Sequence, residues 1–471
     1  MVSFKAFASQ TRPMVTRSLL KSMIANSRAD RPSAFQHVPA GLYILFFTEL
    51  WERFSYYGMR AIFTLFLVAK TTDTNPGFGW SKSDALALYG WYTMMVYVAA
   101  IAGGVIADRI LGQRRTVMVG GLLLCTGHSI LFFNSELSFY VGCIFIVCGV
   151  GCLKPNISSM VGGLYAKGDP KRDVGFYIFY MGINIGGFLA PIICGYVGET
   201  INWHYGFGLA AVGMFLGQLV YIAGQKFLKG VGDPPTASKK SNAERATPLT
   251  KIEKDRIKVL FFSFILIILF WAAFEQAGGL MNLYASEKID RRIGSVELPA
   301  SLFQSVNAFF IITLATAVGA FWFKRKSKGA EASSLFKMSV GIIIMAAGFG
   351  FMAAAAIQYQ HTGSSSFYWL ILAYLFHTVG ELCASPVSLS FITKLAPERY
   401  MSVIMGANMA AIGIGNKLAG ILGQQAEQSS DLTVFASIAI IWSAIGIVML
   451  FLIKPLNRLT HGEDDFTGNE T

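Results

Sequence analysis

Apolar runs of about twenty residues, the length that crosses a bilayer's hydrocarbon core as a helix, recur along the whole chain. In lipid every backbone amide and carbonyl must find a partner inside its own segment or a neighbouring one, so such runs fold as helices. A soluble chain of this length carries roughly 25% charged residues. Here the charged share is 14% and the hydrophobic share 54%. The chain therefore reads as a polytopic all-α membrane protein. Its 48 glycines suit helices that pack closely in a membrane.

The runs place twelve spans near 41–69, 83–107, 116–133, 138–162, 174–197, 205–227, 258–284, 299–323, 336–357, 367–393, 402–423 and 433–453. Residues 1–35 are basic and poor in acids. They read as a cytoplasmic tail, with an organelle transit peptide as the alternative. The first long apolar run begins near Leu42, so no secretory signal peptide is expected. Residues 228–257, with Pro234-Pro235 and Lys239-Lys240, are too polar to span and form a linker. The expected organisation is a tail (1–35), a six-helix bundle (36–227), the linker (228–257), a second six-helix bundle (258–455) and a short tail (456–471).

A net charge of +12 would suggest nucleic acid in a soluble protein. In a membrane protein it follows from the positive-inside rule. Thirty of the 39 lysines and arginines fall in the tails, the linker and the loops of one face. Only Lys70, Lys82, Lys288, Arg291 and Arg292 fall on the other. Both termini and the linker are therefore expected in the cytoplasm, and a multi-pass location in a plasma or bacterial inner membrane. The remaining four cations, Arg53, Arg60, Lys154 and Lys417, lie inside spans.

Charge at membrane depth costs about 2.5–3.5 kcal/mol per residue on insertion scales. A sequence keeps it where charges pair, face a wet cavity or do work. The first span carries Glu49-Leu-Trp-Glu52-Arg53-Phe-Ser-Tyr56-Tyr57-Gly58-Met-Arg60. At about 1.5 Å per residue from an entry near Gly41, Glu49 is roughly 12 Å deep and Arg60 roughly 28 Å deep. Glu49 lies four residues before Arg53, one helical turn, and Glu52 is its chain neighbour. Two acids around one arginine leave a surplus acid that can take and release a proton. A fixed salt bridge that only positions the helix is the alternative.

This run is similar to the signature of the proton-dependent oligopeptide transporter family, a branch of the major facilitator superfamily. The match to Glu-x-x-Glu-Arg-Phe-x-Tyr-Tyr-Gly is complete. Gly104-Val-Ile-Ala-Asp108-Arg109-Ile-Leu-Gly112-Gln-Arg114-Arg115 resembles that superfamily's loop between spans two and three, in which Asp108 caps or pairs locally. The resemblance implies a major facilitator fold of 12 transmembrane helices in two six-helix bundles. It also implies a proton-coupled symporter that imports di- and tripeptides by alternating access.

By the same resemblance Glu49, Glu52, Arg53, Arg60 and Glu275 serve proton coupling. Tyr56, Tyr57 and Tyr97 face the substrate. Cys152-Leu-Lys154-Pro155-Asn156 is similar to the family's lysine-proline-asparagine motif, and Lys154 near mid-depth suits a peptide carboxylate. Phe176-Tyr177-Ile-Phe-Tyr180-Met-Gly-Ile-Asn184 supplies Asn184, either for a peptide bond or as an interhelical brace. Trp271-Ala-Ala-Phe274-Glu275 places Glu275 at the depth of Arg60, so the two are expected to pair as an outer gate. Gln304-Ser-Val-Asn307 brings Asn307 to the peptide N-terminus. Gly380-Glu381-Leu-Cys-Ala-Ser385-Pro386 brings Glu381 to the same ammonium, with Ser385 one turn on. Lys154 and Glu381 are expected to pair when the cavity is empty.

The chain also departs from the family. Asn408 stands where a tryptophan is usual, which implies a smaller and more polar pocket wall. Gly90 follows Tyr89 where animal members have a histidine. The linker is too short and polar for two extra helices. Lys417 has no obvious acid nearby. His377, one turn before Glu381, either tunes that acid or packs with a hydrogen bond. No His/Cys/Asp cluster has metal spacing, the six cysteines read as packing residues, and no nucleophile–base pattern or phosphate loop occurs. The expectation is a transporter, not an enzyme. It has no cofactor beyond the coupling proton, no nucleic-acid partner, and works as a monomer in the bilayer. A transporter of an amino-acid derivative, a peptide-like drug or nitrate is the alternative, as is a non-transporting nutrient receptor.

Overall fold

Twelve long helices account for most of the described chain in the computed structural model, which describes residues 38–166, 169, 171–234, 249–397 and 400–462. The expected tail 1–35, residues 235–248 of the linker and the last nine residues lie outside this set. The first six helices are α1 (Ala40–Val68), α2 (Lys82–Ile106), α3 (Gln113–Ile130), α4 (Glu136–Gly163), α5 (Lys171–Ala190) and α6 (Trp203–Ala223). The second six are α7 (Lys251–Phe274), α8 (Ser305–Ser327), α9 (Ser334–Thr362), α10 (Phe367–Leu395), α11 (Met401–Gln428) and α12 (Asp431–Arg458). Most boundaries lie within about five residues of the sequence expectation; α5 ends at Ala190, α7 ends at Phe274 and α8 begins at Ser305 because short π, 3-10 and helical segments complete those spans, and α7 starts one to two turns earlier. Its extra turns are polar and sit beyond the apolar run. A capping box starts them: Thr250 accepts from the Glu253 amide at 3.2 Å, and Glu253 accepts from the Thr250 amide at 2.8 Å.

Nine of the twelve are apolar and long enough to cross a membrane by composition alone. The other three are α1, α3 and α11. These carry the Glu49–Arg60 charges, Arg114-Arg115, and Asn408, Asn416 and Lys417. The spans that composition misses are thus rich in polar groups that must find partners in the protein.

Within the first half α1 packs on α5 and α6, and α4 on α2 and α3. Within the second α9 packs on α10 and α12, and α11 on α7. The halves meet along α2 with α11 and α5 with α8. We call the face where α1 begins and α12 ends the terminal face, and the opposite one the far face.

Two local breaks shape the interior. Pro155 interrupts α4 and removes the amide that would bond the Gly151 carbonyl. That carbonyl lies against Gly103 of α2, where a Cβ would stand 2.0 Å from it. Asn156 braces the same crossing by donating to the carbonyls of Cys152 (2.7 Å) and Gly103 (3.3 Å). The seventh span breaks after Phe274 into a tight turn, Glu275–Ala277, and resumes as a short helix, Leu280–Lys288. On the far face two-residue strands Ile289–Asp290 and Ser365–Ser366 pair in parallel.

The loop after α2 differs from expectation. Asp108 is exposed and makes no ion pair among the described residues. The ion pair of this loop is made further on: Arg114 pairs with Asp233 at 3.0 Å, and its amide donates to the Gly232 carbonyl at 2.9 Å. Gly112, with φ 75°, turns the chain so that Arg114 meets the segment after α6.

Candidate functional site: a central cavity between the two halves

On α1 one turn of helix stacks Glu49 under Arg53, as the four-residue spacing requires. Arg53 Nε lies 3.1 Å from Glu49 Oε1 and also hydrogen-bonds Glu52 Oε2. All three are buried, with 2%, 3% and 0% exposure for Glu49, Arg53 and Glu52. The cluster is under-satisfied: Glu49 Oε2, Glu52 Oε1 and Arg53 Nη2 have no hydrogen-bond partner. One guanidinium thus serves two carboxylates through a single nitrogen and leaves an acceptor free on each. Buried acceptors of this kind are costly to leave unpaired. The rings of Tyr56 and Tyr57 flank the Arg53 guanidinium at 5.4 and 5.9 Å.

Two turns further, Arg60 Nε meets Glu275 Oε1 of the other half at 3.2 Å. Tyr89 of α2 joins them. Its hydroxyl accepts from Arg60 Nε at 2.8 Å and donates to Glu275 Oε1 at 2.5 Å. The broken seventh span makes this meeting possible. At Gly278 a Cβ would lie 2.1 Å from the Tyr89 hydroxyl and 2.8 Å from Arg60 Nε, so any side chain there would push the three apart. Sequence reading missed Tyr89. Its partners sit on two other spans, and no spacing along α2 announces them.

The space below this knot is a cavity of about 330 Å³ lined by both halves. Tyr56, Tyr57, Tyr97, Lys154, Asn184, Trp271, Asn307, Glu381 and Ser385 all line it, as do Glu49, Arg53, Arg60 and Glu275. Glu52 does not; it is fully buried against Arg53. Tyr180, Gln304 and Tyr374 line the cavity as well, and the sequence reading did not single them out as lining residues.

Lys154 and Glu381 are not paired, contrary to expectation. Lys154 Nζ sits over the Tyr97 ring, 4.2 Å from its centre. Glu381 Oε2 accepts from Asn307 Nδ2 at 3.0 Å, and the same amide reaches Thr378 Oγ1 at 3.0 Å. A neutral amide and an aromatic face hold the two charges apart, each at low cost, so both remain open to a ligand. Asn184 is no interhelical brace. Its amide donates to the Tyr180 carbonyl in its own helix at 2.9 Å. His377 stacks on Phe349 with centres 4.5 Å apart, and neither of its ring nitrogens has a partner. Of the two readings it packs, and it does so without a hydrogen bond. Lys417 lies over the Trp91 ring at 4.4 Å.

On the far face the halves are fastened together. Asn282 Nδ2 and Gln304 Nε2 both donate to the Ala61 carbonyl, at 2.9 and 3.2 Å. Thr64 donates to the Gly278 carbonyl at 3.1 Å, and Lys82 meets Glu287 at 2.5 Å. Glu199, at the end of the fifth span, accepts from the amides of Ala300 (2.9 Å) and Ser301 (2.8 Å). The hydrogen bonds joining the halves gather on this face, so the cavity is closed toward it.

The model of the POT family matches residues 114–246 and 236–441. The chain belongs to the POT family. The peptide transporter YePEPT of Yersinia enterocolitica is 35% identical over 88% of this chain and 94% of its own length. A di-/tripeptide transporter of Lactococcus lactis is 32% identical over 89% of this chain and 96% of its own. Among solved structures, a peptide transporter POT in complex with sulfate superposes with a TM-score of 0.84 at 32% identity, covering 91% of this chain and 97% of that one. The fold is therefore the major facilitator fold in its POT-family form. One expectation carried from the family fails. Asn408 is buried and forms no wall of the cavity; Met409, Ile412 and Asn416 line it from α11. One residue rotates a helix by about 100°, so the position that faces the cavity is the next one along.

Proposed function

We propose that this POT-family protein is a proton-coupled symporter that imports di- and tripeptides by alternating access. The observation that carries the reading is the arrangement of Lys154 and Glu381. They face one cavity from opposite halves, unpaired with each other, one cationic and one anionic. A zwitterion with free termini complements this pair, its carboxylate at Lys154 and its ammonium at Glu381 beside Asn307. The aromatic rings of Tyr97 and Trp271, 6.1 Å apart, give the side chains apolar surface.

The proton is the coupling ion in this reading. Its acceptors are the under-satisfied acids at Arg53 and Glu275 in its pair with Arg60. Protonating Glu275 weakens a bond that holds the far face shut. Coupling needs only that proton and peptide each favour the same conformational exchange. In this reading the basic terminal face, with both termini, is the cytoplasmic one, and the structure then corresponds to the inward-facing arrangement. Purified protein in liposomes tests this. A dipeptide added outside should acidify the lumen and accumulate with an inward proton gradient. Peptide entry indifferent to that gradient refutes coupling, and no entry of any di- or tripeptide in a competition panel refutes the substrate.

A further inference from the structure

Across α10 from the central cavity, α8, α9 and α10 leave a second hollow, of about 470 Å³, on the outside of the second half. Its walls are Val318, Trp322, Phe336, Val340, Ile344 and Cys383, with Arg325 at its mouth. Trp322, Ala332 and Cys383 form a small cluster of their own, separate from the main core. The cause lies in α8, the least buried of the nine apolar spans at 17%. Its backbone packs on α10 and α5, and it meets α9 mainly through the side chains of Trp322 and Arg325. From Phe336 to Ile344 the groove runs about 12 Å along α9, close to one leaflet's share of a hydrocarbon core about 30 Å thick.

The mouth is strongly basic. α8 ends in Lys324-Arg325-Lys326-Ser327-Lys328, and none of these cations makes an ion pair among the described residues. Arg325 is oriented from behind. Its Nε donates to the Glu331 carbonyl at 2.7 Å, and its guanidinium lies 5.0 Å from the centre of the Phe336 ring. That leaves the terminal nitrogens for another acceptor. Lys337 stands over Trp322, 5.6 Å from the ring centre. Glu331 is the one acid in the connection between α8 and α9.

An apolar slot one leaflet deep, with fixed cations at the headgroup level, complements one class of molecule. We propose that this groove binds one anionic phospholipid, with an acyl chain against Trp322 and Val340 and its phosphate at Arg325 and Lys337. The lipid would complete the packing that α8 lacks and brace it against α9. It lies wholly within the second half, so it would stabilise that bundle without competing with a peptide.

Native mass spectrometry of the purified protein with phosphatidylglycerol or phosphatidylcholine tests the proposal. One phosphatidylglycerol should survive activation that strips phosphatidylcholine. Arg325→Gln should weaken its retention about fivefold, the scale of one basic residue at a membrane surface. Val340→Trp should fill the slot and abolish retention of that one lipid; Val318→Trp, on the lipid-facing side, serves if the first fails to fold. Wild-type dipeptide uptake by both variants would show that the fold is intact. Equal retention of the two lipids, or retention unchanged in both the Arg325 and the groove-filling variants, overturns it.

Discussion

The two halves of the cavity handle buried charge in opposite ways. The first half keeps its acids at home: Glu49 and Glu52 share Arg53 on the same helix. The second half has no cation of its own lining the cavity. Glu275 reaches across to Arg60, and Glu381 rests on the neutral amide of Asn307. A pair on one helix survives rocking of the halves; a pair across them cannot. The first half thus holds the standing charge of the site, and the second holds acids whose partners must change during the cycle. This asymmetry gives a reason why coupling groups occur in both halves.

The largest effect tests the standing charge. Arg53→Ala strips the cation from two buried carboxylates, at a cost of about 3–5 kcal/mol for an uncompensated buried charge. Proton-driven dipeptide uptake should fall by two orders of magnitude or more, with a lowered melting temperature. Arg53→Lys keeps a charge but not the planar donor, and should recover the melting temperature before it recovers uptake. Uptake near wild type in Arg53→Ala would show that the acids need no local cation.

Next comes the exchangeable pair. Glu275→Gln and Arg60→Gln should each lower proton-driven uptake by roughly 10- to 100-fold, and the double variant should be little worse than either. A double-mutant cycle would then give a coupling energy of about 0.5–3 kcal/mol. Additive losses would mean that the contact between the halves does no joint work. Glu381→Gln bears on the other exchangeable acid. It should raise the KM for a dipeptide about tenfold, as loss of a charge-assisted bond worth about 1.5–3 kcal/mol implies. The N-acetylated dipeptide, which brings no ammonium, should bind both forms equally weakly. Equal losses for the two ligands would remove Glu381 from the ammonium site.

What the sequence made legible followed from distance along one helix. The Glu49–Arg53 spacing sets that contact whatever the rest of the chain does. Counting depth brought Arg60 and Glu275 to one level, where they meet. Depth says nothing about lateral position, though. Lys154 and Glu381 share a depth and still stand apart, because Tyr97 and Asn307 offer each a nearer partner. Facing failed by one residue at Asn408, where 100° of helix rotation separates a buried position from a cavity wall. Contacts to backbone were invisible. Nothing in Glu199 indicates that two amides of another span await it, and Tyr89 acquires its role only when three helices converge.

Glu199 is where the contrast between the halves sharpens, since it is an acid of the first half that reaches into the second. Both its oxygens accept backbone amides at the turn Ala300–Gln304 that leads into α8. Amides at such a helix start lack partners of their own, and a carboxylate is favoured there. When the far face opens, these bonds must pass to water. Glu199→Gln keeps one acceptor and turns an amide donor toward the other N–H. The closed far face should lose about 1 kcal/mol, the net worth of a typical hydrogen bond, and shift a few-fold toward opening. A cysteine placed at Ser301, already beside Gly195 of the first half, would disturb the contact, so the reporter belongs elsewhere. Ser305→Cys on the far face is suitable, because the Ser305 side chain is buried and its hydroxyl has no hydrogen-bond partner among the described residues. Its labelling by a membrane-impermeant maleimide should quicken a few-fold when Glu199→Gln is added, while Glu199→Asp, which keeps the charge, should fall between. Labelling unchanged by Glu199→Gln would mean that the amides are satisfied equally well by water. The far face would then be held by its other contacts, among them Arg60–Glu275 and Lys82–Glu287, with Glu199 a bystander.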